Sequence, residues 1–428
     1  MYVNARKILS LSLPALGVLI ATPLFLLFDT AVVGQLGAYS LAALGAGSTI
    51  YAMVTGQLTF ISYGTTARAS RKYGAGDKQG AIEEGVHATW LALCVGSVLT
   101  LTIYTLAPQI TSWLANNDEV AQLATSWLRI TCFGIPLMLI VMAGNGWLRG
   151  IQNTQLPLLF TLSGIVPGAI LIPILVNRLG IIGSAWATLI GTLIMAICFV
   201  SYLVYQYSGS WRPDAKIMLN QLILGRDLIV RSLSFQIAIL AAAAVAARFG
   251  PESLAAHQIA LQLWNFITLV LDSLAIAAQT LTGAALGAGS AVLAREVGKK
   301  VIAYSMSFAC VLAIVFLLGK GFLPQIFSSD PNVVMQLQSL WFPLIVMIAV
   351  GSIVFSIDGV LLGAADAAFL RTISVLAIVI GYLPGVWLAW LSGSGLVGVW
   401  WGILASLVIR LLAVAWRFQS MRWARVEA

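Results

Sequence analysis

Twelve apolar segments separated by short polar connections account for most of the chain, at roughly 8–33, 41–66, 86–107, 120–147, 155–177, 182–206, 227–248, 254–285, 300–323, 333–363, 370–392 and 395–418. Each is long enough to carry a helix across a bilayer core, which takes about 20 residues. The pattern predicts an all-α integral membrane protein with 12 transmembrane helices. Two prolines, Pro14 and Pro23, interrupt the first segment. Each removes an amide donor and crowds the turn before it, so this helix is expected to bend. The segment has no small-residue cleavage site and is too long for a secretory signal, so it is expected to remain as a membrane helix.

The chain also repeats itself. Gly37-Ala-Tyr-Ser-Leu-Ala-Ala matches Gly250-Pro-Glu-Ser-Leu-Ala-Ala, an offset of 213 residues (250 − 37). The same register brings Gly74-Ala-Gly onto Gly287-Ala-Gly, Asn145-Gly146 onto Asp358-Gly359, and Leu148 and Gly150 onto Leu361 and Gly363. Gly180, Gly183 and Trp186 match Gly395, Gly398 and Trp401 with two residues inserted. Six segments in each half give both halves one orientation, so the expected arrangement is two six-helix lobes related by a pseudo-two-fold axis along the membrane normal. The expected domains are 1–207, a cytoplasmic linker 208–225, and 226–428. Within the linker, Trp211-Arg-Pro-Asp followed by Lys216, Met218, Leu219, Leu222 and Ile223 reads as an amphipathic helix on the cytoplasmic interface.

Composition and charge agree with this class. Hydrophobic residues make up 60% and charged residues 9% of the chain, against about 25% charged in a soluble domain. The net charge of +8 sits in short connections rather than on one face, so nucleic acid is not an expected partner. Nineteen basic residues, among them Arg68, Lys72, Arg231, Arg371 and Arg410, fall on the side of the N-terminus. Arg178, Arg248 and Lys320 fall on the other, and Arg129 lies in the first half of the fourth segment. The positive-inside rule then puts both termini in the cytoplasm of a multi-pass protein of the cell (inner) membrane. Cys94, Cys132, Cys198 and Cys310 lie in apolar segments without ligand spacing and read as core filler.

No soluble-enzyme motif is present: no phosphate-cradling glycine loop with a lysine, no zinc-spaced histidines, no nucleophile with a base. What remains is a set of acids among hydrocarbon side chains: Asp29, Asp272 and Asp358, with Asp366 placed in a loop near Arg371. An intramembrane carboxylate is expensive and marks a functional site when it faces a partner or a water-filled cavity. Burial favours the neutral acid, so such a group can take a proton from one side and release it to the other. The repeat sets Asp29 against Ala242, Asp272 against Thr59 and Asp358 against Asn145, so the acids are not duplicated and the halves should have different tasks. His257 is expected to hydrogen-bond locally, with a proton relay as its other role. Asn145, Gln236, His257, Trp264 and Gln279 are candidates to line a substrate cavity, with Phe28, Trp147, Met138, Met142 and Phe266 as adaptable neighbours.

Phe28-Asp-Thr-Ala-Val-Val-Gly-Gln-Leu-Gly resembles the first-helix signature of the multidrug and toxic compound extrusion (MATE) transporters, and Ala255-Ala-His-Gln-Ile-Ala-Leu resembles their eighth-helix signature. Asp272 with Ala277-Ala-Gln-Thr-Leu-Thr-Gly-Ala-Ala-Leu-Gly, then Asp358-Gly-Val-Leu-Leu-Gly-Ala-Ala-Asp, look most like the DinF branch. The resemblance implies two six-helix lobes in a V and cation-coupled efflux of amphipathic, mostly cationic compounds. It makes Asp29 the first-helix carboxylate that binds the coupling ion, Pro14 the bend and Asp358 the tenth-helix acid of the NorM branch. The chain departs from archaeal relatives in the fifth helix, where Gly168 and Ile172-Pro173 replace an Asn and an Asp, and from NorM in the seventh, where Gln236 is nearest to a missing glutamate.

The expectation is therefore a monomeric antiporter without cofactor that exchanges drugs for inward H+, with Na+ as the alternative ion and membrane lipids as surroundings. Two other readings compete. A flippase for anionic lipid carriers should hold several Arg or Lys inside its spans, where this chain is expected to have at most Arg129. An intramembrane enzyme using two of the aspartates has no paired motif behind it.

Overall fold

A computed structural model of the chain describes residues 4–115 and 117–426. In lipid, backbone amides find partners only along their own helix, and no strand occurs among the described residues. In chain order the helices are α1 (Ala5–Gly34), α2 (Ala38–Gln57), α3 (Phe60–Gly74), α4 (Lys78–Leu114), α5 (Asp118–Thr131), α6 (Gly134–Gly150), α7 (Gln155–Leu179) and α8 (Ile181–Gln206). There follow α9 (Ala215–Arg248), α10 (Pro251–Gly287), α11 (Ala291–Leu318), α12 (Leu323–Phe327), α13 (Pro331–Ser339), α14 (Trp341–Gly363) and α15 (Ala367–Ala377). A π-helical turn over Ile378–Tyr382 joins α15 to α16 (Leu383–Ser392), and α17 is Gly395–Gln419.

Among the described residues ten helices are long and apolar enough to cross a bilayer, with α15 through α16 taken as one. An eleventh span is α5 with α6, bent by 48° at their junction. The twelfth, expected at 41–66, is the broken pair α2 and α3, which part at Leu58 and Thr59. The second half has no such break among the described residues, since α10 continues through Asp272 at the position matching Thr59.

The chain forms two compact units, one of residues 13–225 and one of 1–12 with 226–428. This corrects the expected boundaries at both ends of the first lobe. Ile8 and Leu11 are buried among Leu274, Leu281, Val301 and Val360 of the second unit, so the division falls inside α1, just before Pro14. The linker packs with the first unit, where Trp90 Nε1 donates to the carbonyl of Trp211 at 2.8 Å. Its amphipathic segment is the first part of α9 rather than a separate helix. Leu219, Leu222 and Ile223 are exposed there while Gln221 is buried. Pro14 and Pro23 both lie inside α1, which continues through them.

The 213-residue repeat is written into the backbone. Gly37 and Gly250 enter α2 and α10 with φ of 116° and 109°, a region that L side chains avoid. Gln152 and Ala365, also 213 apart, share φ of 62° and 59°. Helix caps follow the same register. Asp77 accepts from the Gly80 amide and Ser290 from the Leu293 amide, while Asn117 and Asp330 accept from Glu119 and Asn332. Close helix approach is shared too: a Cβ on Gly146 would meet Ser62 O at 2.8 Å, and one on Gly359 would meet Ala275 O at 2.3 Å. Cys132 is buried as expected, but Cys94 and Cys310 are exposed on apolar surfaces rather than filling the core.

Candidate coupling site

Asp29 lies on α1 in the first unit and is 1% exposed, so its carboxylate does not face acyl chains. Ser184 on α8 donates a hydrogen bond to Oδ2 at 2.8 Å, and Trp127 on α5 donates through Nε1 to the Ser184 hydroxyl at 3.2 Å. The indole reaches this place because Gly47 on α2 leaves room for it; a Cβ there would meet the ring at 2.6 Å. Tyr51 stands edge-on to the same ring at 6.4 Å. Among the described residues Asp29 has no basic partner, and its Oδ1 is buried without a hydrogen bond. A buried carboxylate with one uncommitted oxygen and no basic neighbour has the chemistry to accept a proton. Gly168 lies beside the Phe25 ring and the carbonyl of Ala187, so the fifth-helix departure leaves no second acid at that position.

The acids of the second unit behave differently. Oδ2 of Asp358 on α14 accepts from Arg231 Nη2 on α9 and, at 2.5 Å, from Arg410 Nη2 on α17. Both guanidinium groups also sit over the Phe235 ring, at 5.6 and 5.0 Å. Asp272 on α10 is within electrostatic reach of Arg410, which completes a set of two acids and two bases. Asp358, expected as a coupling acid, is thus held by two arginines, where Asp29 has none. Arg231 and Arg410 stand within helices long and apolar enough to cross a bilayer, which corrects the expectation of at most Arg129 there. Arg410 is 7% exposed, midway along α17.

The candidate cavity residues are dispersed. Asn145 on α6 is buried in the first unit with Oδ1 unpartnered. In the second unit, Trp400 Nε1 donates to His257 Nδ1 at 3.2 Å, which fulfils the local hydrogen-bonding role and puts the ring proton on a buried Nε2. Trp264 packs edge-on to Phe355 at 6.4 Å, and the backbone of the buried Gln279 lies against Gly363. Gln236 is half-buried on α9. Trp147 stacks on Tyr202 in the core, Met138 and Met142 are half-buried, and Phe28 and Phe266 are exposed. Asp366 pairs with Arg417 at 2.7 Å; its expected neighbour Arg371 instead holds Asp227 at 2.6 Å.

Two buried acids escape a reading of the sequence. Asp227 opens the span on α9, and Glu84 on α4 is held by Arg68 at 2.7 Å, by Lys72 at 3.3 Å and by Gln221 of the linker. The spacing of Arg68 and Lys72 on one face of α3 was the available signal, since such a pair suits an acid on a neighbouring helix. Burial pushes the Glu84 carboxyl up, but hydrogen bonding and charge from Arg68, with Lys72 and Gln221, outweigh it and hold the group below its ordinary 4.5.

The MatE family profile matches residues 14–174 and 228–387, one copy over each half of the repeat. The chain belongs to the MATE family. Members of this family are transporters, and the multi-pass helical architecture is the one it requires. The chain is 26% identical to the DNA damage-inducible protein F of Escherichia coli K12, over 95% of this chain and 91% of that one. It is 27% identical to the probable multidrug resistance protein NorM of Rhizobium meliloti, over 96% and 92%. A MATE crystal structure in the bent conformation shares the fold with a TM-score of 0.90, at 22% identity over 97% and 96% of the two chains.

Proposed function

We propose that this MATE transporter is a secondary multidrug efflux antiporter that exports amphipathic, mostly cationic compounds in exchange for inward H+, with Asp29 as the coupling acid. The observation that carries the reading is the state of Asp29: buried, hydrogen-bonded only to the Ser184 hydroxyl, and without a basic neighbour. A proton requires a single oxygen, and Oδ1 offers one, which favours H+ over Na+ as the coupling ion. The multidrug resistance name of the Rhizobium meliloti relative supports the drug substrate class. One proton in for one monovalent cation out moves no net charge, so such a cycle is driven by the pH gradient and not by voltage, worth about 2.3 kcal/mol per charge per 100 mV.

In this reading the protein is a multi-pass protein of the cell membrane that works as a monomer without cofactor, and the charge bias supports both termini being cytoplasmic. Against the flippase reading, Arg231 and Arg410 are engaged by Asp358 and Asp272, so they do not form an unbalanced cationic lining. Dye efflux from vesicles under an imposed pH gradient, with sodium varied independently, tests the proposal. Efflux that follows sodium and ignores pH overturns the choice of ion.

A further inference from the structure

One face of α9 carries Ala241, Ala244, Val245 and Arg248, a spacing of three and four residues that lines them up along a single stripe. This stripe and the facing side of α16 line an open groove of about 450 Å³. The opposing wall is made by Val379, Leu383, Trp387 and Trp390, again on one helical face. The wall stands clear of α9 for a structural reason. The π-helical turn Ile378–Tyr382 widens the helix just before Pro384, which has no amide to donate, and Gly385 holds α16 tightly to Gly402 of α17. The other face of α16 is thus left to the groove.

The chemistry of the groove changes along its length. It is apolar through Ala241, Ala244 and Val379, and ends at an exposed Arg248 whose guanidinium lies 4.6 Å over the Trp390 ring. Among the described residues Arg248 makes no ion pair, Glu252 on the next helix included. Tryptophan and arginine at the end of a membrane helix mark the level of lipid headgroups. We infer that this groove is a binding site for one phospholipid of the surrounding bilayer, its acyl chain lying along the alanine stripe and its phosphate on Arg248. Charge complementarity selects the occupant: an uncompensated guanidinium at the mouth of a hydrocarbon slot fits a molecule with a phosphate at one end and an alkyl chain behind it. The site is separate from Asp29, so its failure and that of the proposed coupling are distinguishable.

Native mass spectrometry of the full chain in detergent tests the inference, with dioleoylphosphatidylglycerol and dioleoylglycerol as probes. The wild-type chain should bind the phospholipid at least tenfold more tightly than the diacylglycerol. Arg248→Gln should remove that preference, and Ala244→Trp, which fills the groove from an exposed position, should weaken binding of both probes about tenfold or more. Arg178→Gln, which changes a basic residue in the other unit, should leave binding as in wild type. Equal affinity of the wild-type chain for the two probes, or phospholipid binding unchanged in both Arg248→Gln and Ala244→Trp, overturns the site.

Discussion

Ser184 donates its hydroxyl to Asp29 at 2.8 Å across 155 residues of sequence, and this is the only polar side chain that touches the carboxylate among the described residues. A hydroxyl supports a carboxylate without neutralising it. Removing it leaves a buried oxygen unsatisfied, at about 1–3 kcal/mol. Ser184→Ala should therefore displace the pH midpoint of efflux by about one pH unit, while Ser184→Thr, which keeps the hydroxyl, should retain the wild-type midpoint. Efflux rates from vesicles over a pH series read this directly, and an unmoved midpoint in Ser184→Ala would show that the bond has no part in coupling.

Asp358 should matter for stability more than for coupling. Its substitution by Asn strips the compensation from the buried Arg410 and the half-buried Arg231, and breaking a buried pair from one side costs about 3–5 kcal/mol. Asp358→Asn should melt well below wild type, and below Asp29→Asn, in detergent thermal denaturation. Whatever Asp358→Asn protein remains folded in vesicles should still show pH-driven efflux. Wild-type melting together with lost efflux would return Asp358 to the coupling machinery.

Glu84 contributes stability through a lowered carboxyl, and the sign follows. The contribution is complete above the ordinary glutamate value of 4.5 and is lost as pH falls through the lower value it has in the folded chain. Glu84→Gln should therefore reduce the melting temperature at neutral pH and narrow its gap to wild type as the medium is acidified below 4.5. A gap that stays constant with pH would contradict the Arg68–Lys72–Glu84 account.

Gly146 and Gly359 let α6 and α14 lie directly against the backbones of α3 and α10. Added methyl groups would meet Ser62 O at 2.8 Å and Ala275 O at 2.3 Å. Each Gly→Ala change should cost about 1–3 kcal/mol by overpacking, with the larger loss of melting temperature at Gly359 because its contact is closer and entirely with backbone.

Much of the fold was legible because lipid imposes long apolar runs, and because the register of Gly37 with Gly250 recurs in caps and turns. The breaks were less so. Nothing in the hydropathy of 41–66 distinguishes the interrupted α2–α3 from the continuous α10, and a unit boundary inside α1 depends on where Ile8 and Leu11 pack. Asp29 was legible as an isolated acid in a hydrocarbon run. Its partner Ser184, and Trp127 behind that hydroxyl, were not, since a serine and a tryptophan in apolar helices carry no local mark of what they face. Asp358 was legible as an acid in the same way, but its ion pairs were not. Its cations, Arg231 and Arg410, stand on two other helices, and nothing along the chain marks which acid they face.

The central claim is that Asp29 carries the coupling proton, and substrate-induced proton release measures it most directly. Vesicles loaded with an acidic interior and a pH-sensitive dye, then given a cationic substrate, should alkalinise with the wild-type chain and stay acidic with Asp29→Asn. Equal alkalinisation by the two would contradict the account.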